Sequence, residues 1–357
     1  MSVLALARPE LLGMAGYSSA RMEASGGRVL LNANELPWPP TPDGAALNRY
    51  PAPQPAALVE RLAWLYGVNS DSVLVGRGSD EAIDLLTRAF CRAGRDQVIV
   101  SPPTFGMVAV AAQVQGAGLR EVPLRADQGF AFDFGAVLEA LTPTTRLVYA
   151  CNPNNPTGNA LPADSLRELA RRLRDRAVLL VDEAYIEFAP GDSLSADVAR
   201  HDNLVVLRTM SKAHGLAGAR VGVALAHPQV IGLLRRIMAP YPLPSPSIEA
   251  ALAALSDPAL ARTRARIDQI VSERERLAER LAAHPLIRRV LPSSANFLCL
   301  RCVDAAALYA HLLGRGIVVR SLARYPGLAD ALRLSIGTPE ENAAVLTALD
   351  EALAVAA

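Results

Sequence analysis

Lys212 lies in the run Arg208-Thr209-Met210-Ser211-Lys212-Ala213-His214-Gly215-Leu216-Ala217-Gly218-Ala219-Arg220. A lysine amine that is partly desolvated is a nucleophile and forms Schiff bases with aldehydes. The small residues and glycines around it keep bulk low and let backbone approach a ligand. Arg220, Ser211 and Thr209 are together suited to clamp a phosphate, because a guanidinium gives planar charge-assisted hydrogen bonds and hydroxyls add two more. The ordinary use of a lone lysine is a solvated surface charge, so the rest of the chain must supply a phosphate cradle, a ring partner and a substrate anchor.

Four segments supply them. Gly76-Arg77-Gly78-Ser79-Asp80-Glu81 joins a strand to a helix start, where unpaired N–H groups suit a phosphate, although many strand-to-helix turns look alike. Cys151-Asn152-Pro153-Asn154-Asn155-Pro156-Thr157-Gly158 is an irregular loop rich in amides after a strand, where ligands of such sheets sit. Val181-Asp182-Glu183-Ala184-Tyr185 places an acid at the end of an apolar run. A buried carboxylate needs a partner; a protonated pyridine nitrogen would be one, and capping a helix is the plain alternative. Arg333 sits inside the apolar run Leu332–Ile336, and Arg320 ends Ile317–Arg320; each could reach a substrate carboxylate or be an ordinary exposed or salt-bridged arginine.

The elements that must position these residues read as an α/β fold. Val98–Ser101, Leu147–Cys151, Val178–Val181, Leu204–Leu207 and Val221–Leu225 are nearly continuous apolar runs, as in strands buried on both faces of a mainly parallel sheet. Leu166, Leu169, Ala170 and Leu173 recur at helical spacing, and a helix starting at Ser79 carries Asp80 and Glu81 in its first turn. The alternation predicts a doubly wound domain. Prolines at 240, 242, 244 and 246 break it and mark a junction. A helix over about Arg262–Ala283 and strands near Asn296–Arg301, Ile317–Arg320 and Leu332–Ile336 then predict a smaller α+β domain. The expected organisation is an arm over 1–35, a large domain over 36–245 and a small domain over 246–357, the arm packing on the small domain or on a second subunit.

The 357 residues are 51% hydrophobic and 20% charged, with formal net charge +1 and mean hydropathy +0.21. No basic patch points to nucleic acid or an anionic membrane, and no apolar run approaches the ~20 residues of a bilayer span. The N-terminus lacks a positively charged, signal-like leader, so a cytoplasmic enzyme is expected. Cys299-Leu300-Arg301-Cys302 has the outline of a metal or redox pair, but no second pair exists; with Cys91 and Cys151 these read as thiols buried in a sheet, and no metal is expected.

Nearly end to end, the chain resembles the fold-type I pyridoxal-phosphate aminotransferases. The resemblance rests on Leu31-Asn32-Ala33-Asn34-Glu35, Arg49-Tyr50-Pro51, the Gly76–Glu81 turn, Pro102-Pro103-Thr104-Phe105-Gly106-Met107, the Asn152–Gly158 loop, Asp182–Phe188, Thr209–Gly222, Ala239–Leu243 and Arg333–Gly337. Glu183-Ala184-Tyr185-Ile186-Glu187-Phe188 and Ala239-Pro240-Tyr241-Pro242-Leu243 resemble the histidinol-phosphate branch. The family implies a large domain with a mainly parallel seven-stranded sheet and a smaller α+β domain. It implies pyridoxal 5'-phosphate on Lys212 as a Schiff base, with the freed amine then moving a proton at the substrate Cα. Asp182 would face the pyridinium nitrogen, Phe105 would stack on the ring, and Tyr185 and Asn155 would bond the ring oxygen. Ser79, Asp80, Thr209, Ser211 and Arg220 would hold the phosphate, joined by Tyr50 from the other subunit of a homodimer. Arg333 would bind the substrate carboxylate or phosphate, with Tyr17, Asn34 and Arg320 lining the pocket. The reaction implied is ping-pong transfer between L-histidinol phosphate and 2-oxoglutarate; the same loops occur in aromatic amino-acid aminotransferases and threonine-phosphate decarboxylases. A cofactor-sensing regulator would carry an added DNA-binding segment, and none is visible. Two positions depart from the family pattern: Phe105 stands where tyrosine is common, and His214, where an aromatic is expected, reads as a packing substitution.

Overall fold

The computed structural model describes residues 2–23, 27, 29–41 and 47–356. Seven strands form the main sheet: β1 (Val73–Gly76), β2 (Gln97–Val100), β3 (Gly118–Glu121), β4 (Thr145–Cys151), β5 (Val178–Asp182), β6 (Leu204–Thr209) and β7 (Gly222–Ala226), in the order β1-β7-β6-β5-β4-β2-β3. Neighbours are parallel from β3 through β6, while β7 is antiparallel to both β6 and β1. The central strands are largely apolar because both faces are covered. Val148, Leu179, Val181 and Val206 face one core with the helix Ala163–Leu173. Leu147, Tyr149, Leu180 and Leu207 face the other, with the helices Ser79–Phe90 and Pro228–Ile237. Strand β3 was not expected; its Gly-Leu-Arg-Glu sequence is mostly exposed at the sheet edge, where no apolar run is needed.

A second, antiparallel sheet has the order β10-β11-β9-β8, from β8 (Ile287–Val290), β9 (Phe297–Cys302), β10 (Arg320–Ser321) and β11 (Ala331–Ser335). The helices Asp257–Ala282, Ala305–Gly314 and Pro339–Ala356 cover one face, packing Leu281, Leu308 and Leu349 on Leu298, Leu300, Leu332 and Leu334. The other face turns toward the main sheet: Cys299 joins the core of that sheet, and Phe297 packs with Tyr185 and Phe188. Arg333 is paired with Cys299, and residues directly opposite on neighbouring strands share a face. Arg333 is therefore delivered toward the main sheet.

Four details differ from expectation. Only Arg320–Ser321 of the Ile317–Arg320 run pairs as strand, because the preceding residues follow the tight turn at Gly316 and Val318 stays exposed. The long helix starts at Asp257, with Pro258 in its first turn. Pro246 likewise lies in the first turn of the helix Ser245–Ala254, where its missing N–H costs nothing. The start of the N-terminal arm packs on the large sheet's helices and not on the small sheet: Val3, Leu6 and Leu11 bury there, the Arg8 N–H donates to Ala89 O at 2.9 Å, and Arg236 Nη1 donates to Leu12 O at 2.8 Å.

Candidate active site

A cavity of about 330 Å³ opens at the carboxyl ends of β4, β5 and β6, where Cys151, Asp182 and Leu207 stand in register. It gathers Ser79, Asp80, Phe105, Asn155, Asp182, Tyr185, Thr209, Ser211, Lys212, Arg220, Arg320 and Arg333. Lys212 sits on a loop closed by Met210 N–H to Val221 O (3.0 Å) and Leu216 N–H to Met210 O (2.9 Å). Its Nζ lies 5.6 Å from the centroid of the Tyr185 ring. The residue is reached by solvent through the open cleft, yet its amine is held below the usual lysine range. Burial of the amine is the first cause, and the charges of Arg333 and Arg220 add to it against Asp80 and Asp182. Lys212 is also the only lysine in the chain, a fact that the motif reading passed over.

Asp182 is 2% exposed. Its Oδ2 accepts from Tyr149 Oη at 2.8 Å and its Oδ1 from the Ala184 N–H at 3.1 Å, while the short helix that follows, Ile186–Phe188, has Tyr185 and not Asp182 at its N-cap. Burial pushes its pKa up to about 6, against these two hydrogen bonds. No cation among the described residues forms an ion pair with it. Tyr149 was not anticipated: inside the run Leu147–Cys151 a tyrosine reads as core, and only the structure aims its hydroxyl at Asp182. Tyr185 Oη accepts from Asn155 Nδ2 at 3.4 Å, and its ring packs edge-on against Phe297 at 5.2 Å. Asn155 Oδ1 accepts from Arg333 Nη1, joining the two sheets across the cavity. Tyr325, on the turn after β10, also lines the cavity and was missed, because nothing in its local sequence marks it.

The expected phosphate cradle is built by close packing. Gly78 (φ 83°) caps the helix Ser79–Phe90, leaving the Ser79 and Asp80 N–H groups at the cavity. A Cβ on Gly222 would lie 2.3 Å from Ser79 N, so only glycine lets β7 pass behind this turn. Arg220, itself at φ 55°, places Nη2 3.2 Å from Asp80 Oδ2 and Nη1 3.4 Å from Ser211 Oγ. Thr209 Oγ1 accepts from the Ser211 N–H at 3.1 Å, so it also shapes the loop. Asn154 ties the two flanking loops: Nδ2 donates to Pro103 O at 2.9 Å, and Oδ1 accepts from Thr104 Oγ1 at 2.8 Å, which steadies Phe105.

Of the expected residues, Tyr17 and Asn34 are not at this cavity, and Tyr50, expected from the other subunit, is not at the cavity of its own chain. Tyr17 is 71% exposed. Asn34 and Tyr50 line a separate depression of about 610 Å³, where Tyr50 stacks on Tyr241 at 4.3 Å between centroids. Their reach in a single chain falls short because the segment carrying them lies on the outer surface. His214 lines another hollow with Glu187 and Arg208, away from the Lys212 cavity.

This geometry fits pyridoxal phosphate: a poised amine, a helix N-terminus with an arginine, and a buried carboxylate lacking a cation. The comparisons agree. The family described as aminotransferase class I and II matches residues 28–349. A histidinol-phosphate aminotransferase of Stenotrophomonas maltophilia is 51% identical over 357 residues, covering 99% of this chain and 98% of that protein. Among solved structures, a histidinol-phosphate aminotransferase from Sinorhizobium meliloti in complex with pyridoxal-5'-phosphate is similar at TM-score 0.79 and 28% identity, over 87% of this chain and 84% of that one. An L-threonine-O-3-phosphate decarboxylase from Porphyromonas gingivalis is similar at TM-score 0.74 and 25% identity, over 86% and 91%. The chain belongs to the aminotransferase class I and II family, whose enzymes depend on pyridoxal phosphate.

Proposed function

We propose that this enzyme moves an amino group between L-histidinol phosphate and 2-oxoglutarate, giving imidazole-acetol phosphate and L-glutamate. The observation that carries the reading is Arg333 opposite Arg320 on neighbouring strands, both at the Lys212 cavity and neither in an ion pair with a carboxylate among the described residues. Like charges held face to face call for an anion between them. Full-length similarity to a histidinol-phosphate aminotransferase narrows the anion to a carboxylate in one half of the cycle and a phosphate in the other.

When bound, pyridoxal phosphate supplies an aldehyde that takes up the amino group and a conjugated ring that accepts the electrons of the Cα–H bond. Asp182 would face the ring nitrogen and favour its protonated form. The Ser79 and Asp80 N–H groups, Ser211, Thr209 and Arg220 would hold the phosphate, and Phe105 would cover the ring. Tyr185 and Asn155 would hydrogen-bond the ring oxygen. Lys212 would be the point of attachment and the group that moves the proton at the substrate Cα, and burial with the nearby Arg333 and Arg220 charges favours its neutral amine relative to a free lysine. Arg333 anchors the substrate from the small sheet, so the boundaries at 36–245 and 246–357 put base and anchor on separate units.

We assign Tyr50, Asn34 and Tyr17 to the partner's site in a homodimer. The exposed apolar residues Leu31, Leu36 and Trp38 beside them support a covered face. Four buried free cysteines fit the reducing cytoplasm, and among the described residues no helix is long and apolar enough to cross a membrane.

A half-reaction screen tests the reading. The cofactor-loaded enzyme is mixed with L-histidinol phosphate, glutamate, phenylalanine or threonine phosphate, and the cofactor absorbance is followed. Histidinol phosphate and glutamate are expected to convert it fastest. A preference for phenylalanine, or carbon dioxide release from threonine phosphate, would contradict it.

A further inference from the structure

We propose that Arg324 is a specificity-determining residue for the phosphorylated amino donor, acting from a second cavity that opens beside the first. The proposal rests on the reading above and deepens it. The second cavity, about 580 Å³, is bounded by Arg320, Arg324 and Arg333 with Tyr309 and Tyr325. It shares Arg320, Tyr325 and Arg333 with the Lys212 cavity, so the two meet along one wall.

Three guanidiniums line this hollow and no carboxylate does. Among the described residues none of the three forms an ion pair. Arg333 is tethered by Asn155, on the Lys212 side. Arg324 stands on the turn between β10 and β11. Buried Leu322 and Leu328 anchor that turn, and its chain is fixed by Tyr325 N–H to Leu322 O (2.8 Å) and Leu328 N–H to Tyr325 O (3.1 Å). The backbone under Arg324 is thus set, while its side chain is exposed and free to meet a ligand. A carboxylate has two oxygens and one charge, and one guanidinium satisfies it. A phosphate monoester carries close to two charges and three oxygens, and can engage a further cation. The α-carboxylate of glutamate therefore has little use for Arg324, whereas the phosphate of a donor reaching past Arg320 has.

The test compares the holoenzyme with Arg324→Gln, measuring half-reaction kcat/KM for L-histidinol phosphate and for glutamate, and inorganic phosphate as a competitor of glutamate. The ratio of the two kcat/KM values is expected to fall about tenfold, the loss of one charge-assisted hydrogen bond, mainly through KM. Arg324→Lys is expected to recover part of it. A ratio unchanged in Arg324→Gln would overturn the proposal, because a merely structural role would move both donors together. Should the wild type ignore histidinol phosphate, the substrate reading fails by itself and the competitor arm decides the site. Inhibition by phosphate that weakens in Arg324→Gln supports an anion site there, and equal inhibition overturns it.

Discussion

Asp182 and Glu183 are adjacent at the end of β5, both are buried, and their surroundings are opposite. Glu183 meets a complete internal shell. Its Oε1 accepts from the Leu194 N–H at 2.8 Å, Oε2 accepts from Ser193 Oγ, and Arg208 Nη1 lies 3.5 Å away. Arg208 is in turn held by Glu187 at 2.8 Å and lies over the Tyr66 ring at 4.5 Å. Burial raises the pKa of Glu183, and Arg208 is the first group to oppose that. Asp182 has neutral donors alone, Tyr149 and the Ala184 N–H, and faces the open cavity. A buried carboxylate whose cation belongs to the fold is structural; one whose cation is missing from the fold marks where a cationic ligand goes.

The sharpest way to break the comparison is to neutralise the cavity side. Asp182→Asn is expected to lower kcat about 10³-fold, near 4 kcal/mol of transition-state stabilisation, without lowering resistance to urea. A variant that keeps wild-type kcat would remove Asp182 from the mechanism. On the other side, Arg208→Met strands Glu183 and Glu187 without their cation. It should cost about 3 kcal/mol in urea unfolding, with kcat of the folded enzyme retained within about threefold. Equal loss of activity and stability there would mean that the two sides are not separate.

A smaller effect concerns pH. In cofactor-free protein the Asp182 pKa is raised to about 6 from 3.8, so the folded state binds the extra proton between those values. Its contribution to stability is complete below about pH 4 and is lost as pH rises through about 6, at up to about 1.4 kcal/mol per pH unit. Urea titrations at pH 4.5 and 6.5 should show this fall against Asp182→Asn, in which the contribution is absent. A cofactor ring nitrogen placed against Asp182, as proposed, would favour the ionised carboxylate and should abolish the fall. A slope identical in the variant would assign it to other groups.

Much of this was legible in the chain because the chemistry is local. The runs that became β4 to β7 are apolar enough to be read without partners, and Asn155, Asp182 and Lys212 lie at or within a few residues of the ends of β4, β5 and β6. Arg333 stood out as a charge inside an apolar strand. What could not be read depends on distant parts of the chain. Tyr149 looks like core until the strand's facing is known, and Tyr325 needs the turn after β10 to be folded. Strands β3 and β8 pair at sheet edges and carry exposed residues, so they lack an apolar signature. Tyr17, Asn34 and Tyr50 were named from the family resemblance, and one chain alone does not bring them to the cavity.

Because Lys212 is the sole lysine, the central claim reduces to a single mass measurement. Holoenzyme reduced with borohydride and weighed intact should carry one pyridoxyl phosphate per chain, on the peptide containing Lys212, and Lys212→Ala treated alike should carry none. An unmodified wild type, or an adduct that persists in Lys212→Ala, would contradict the account.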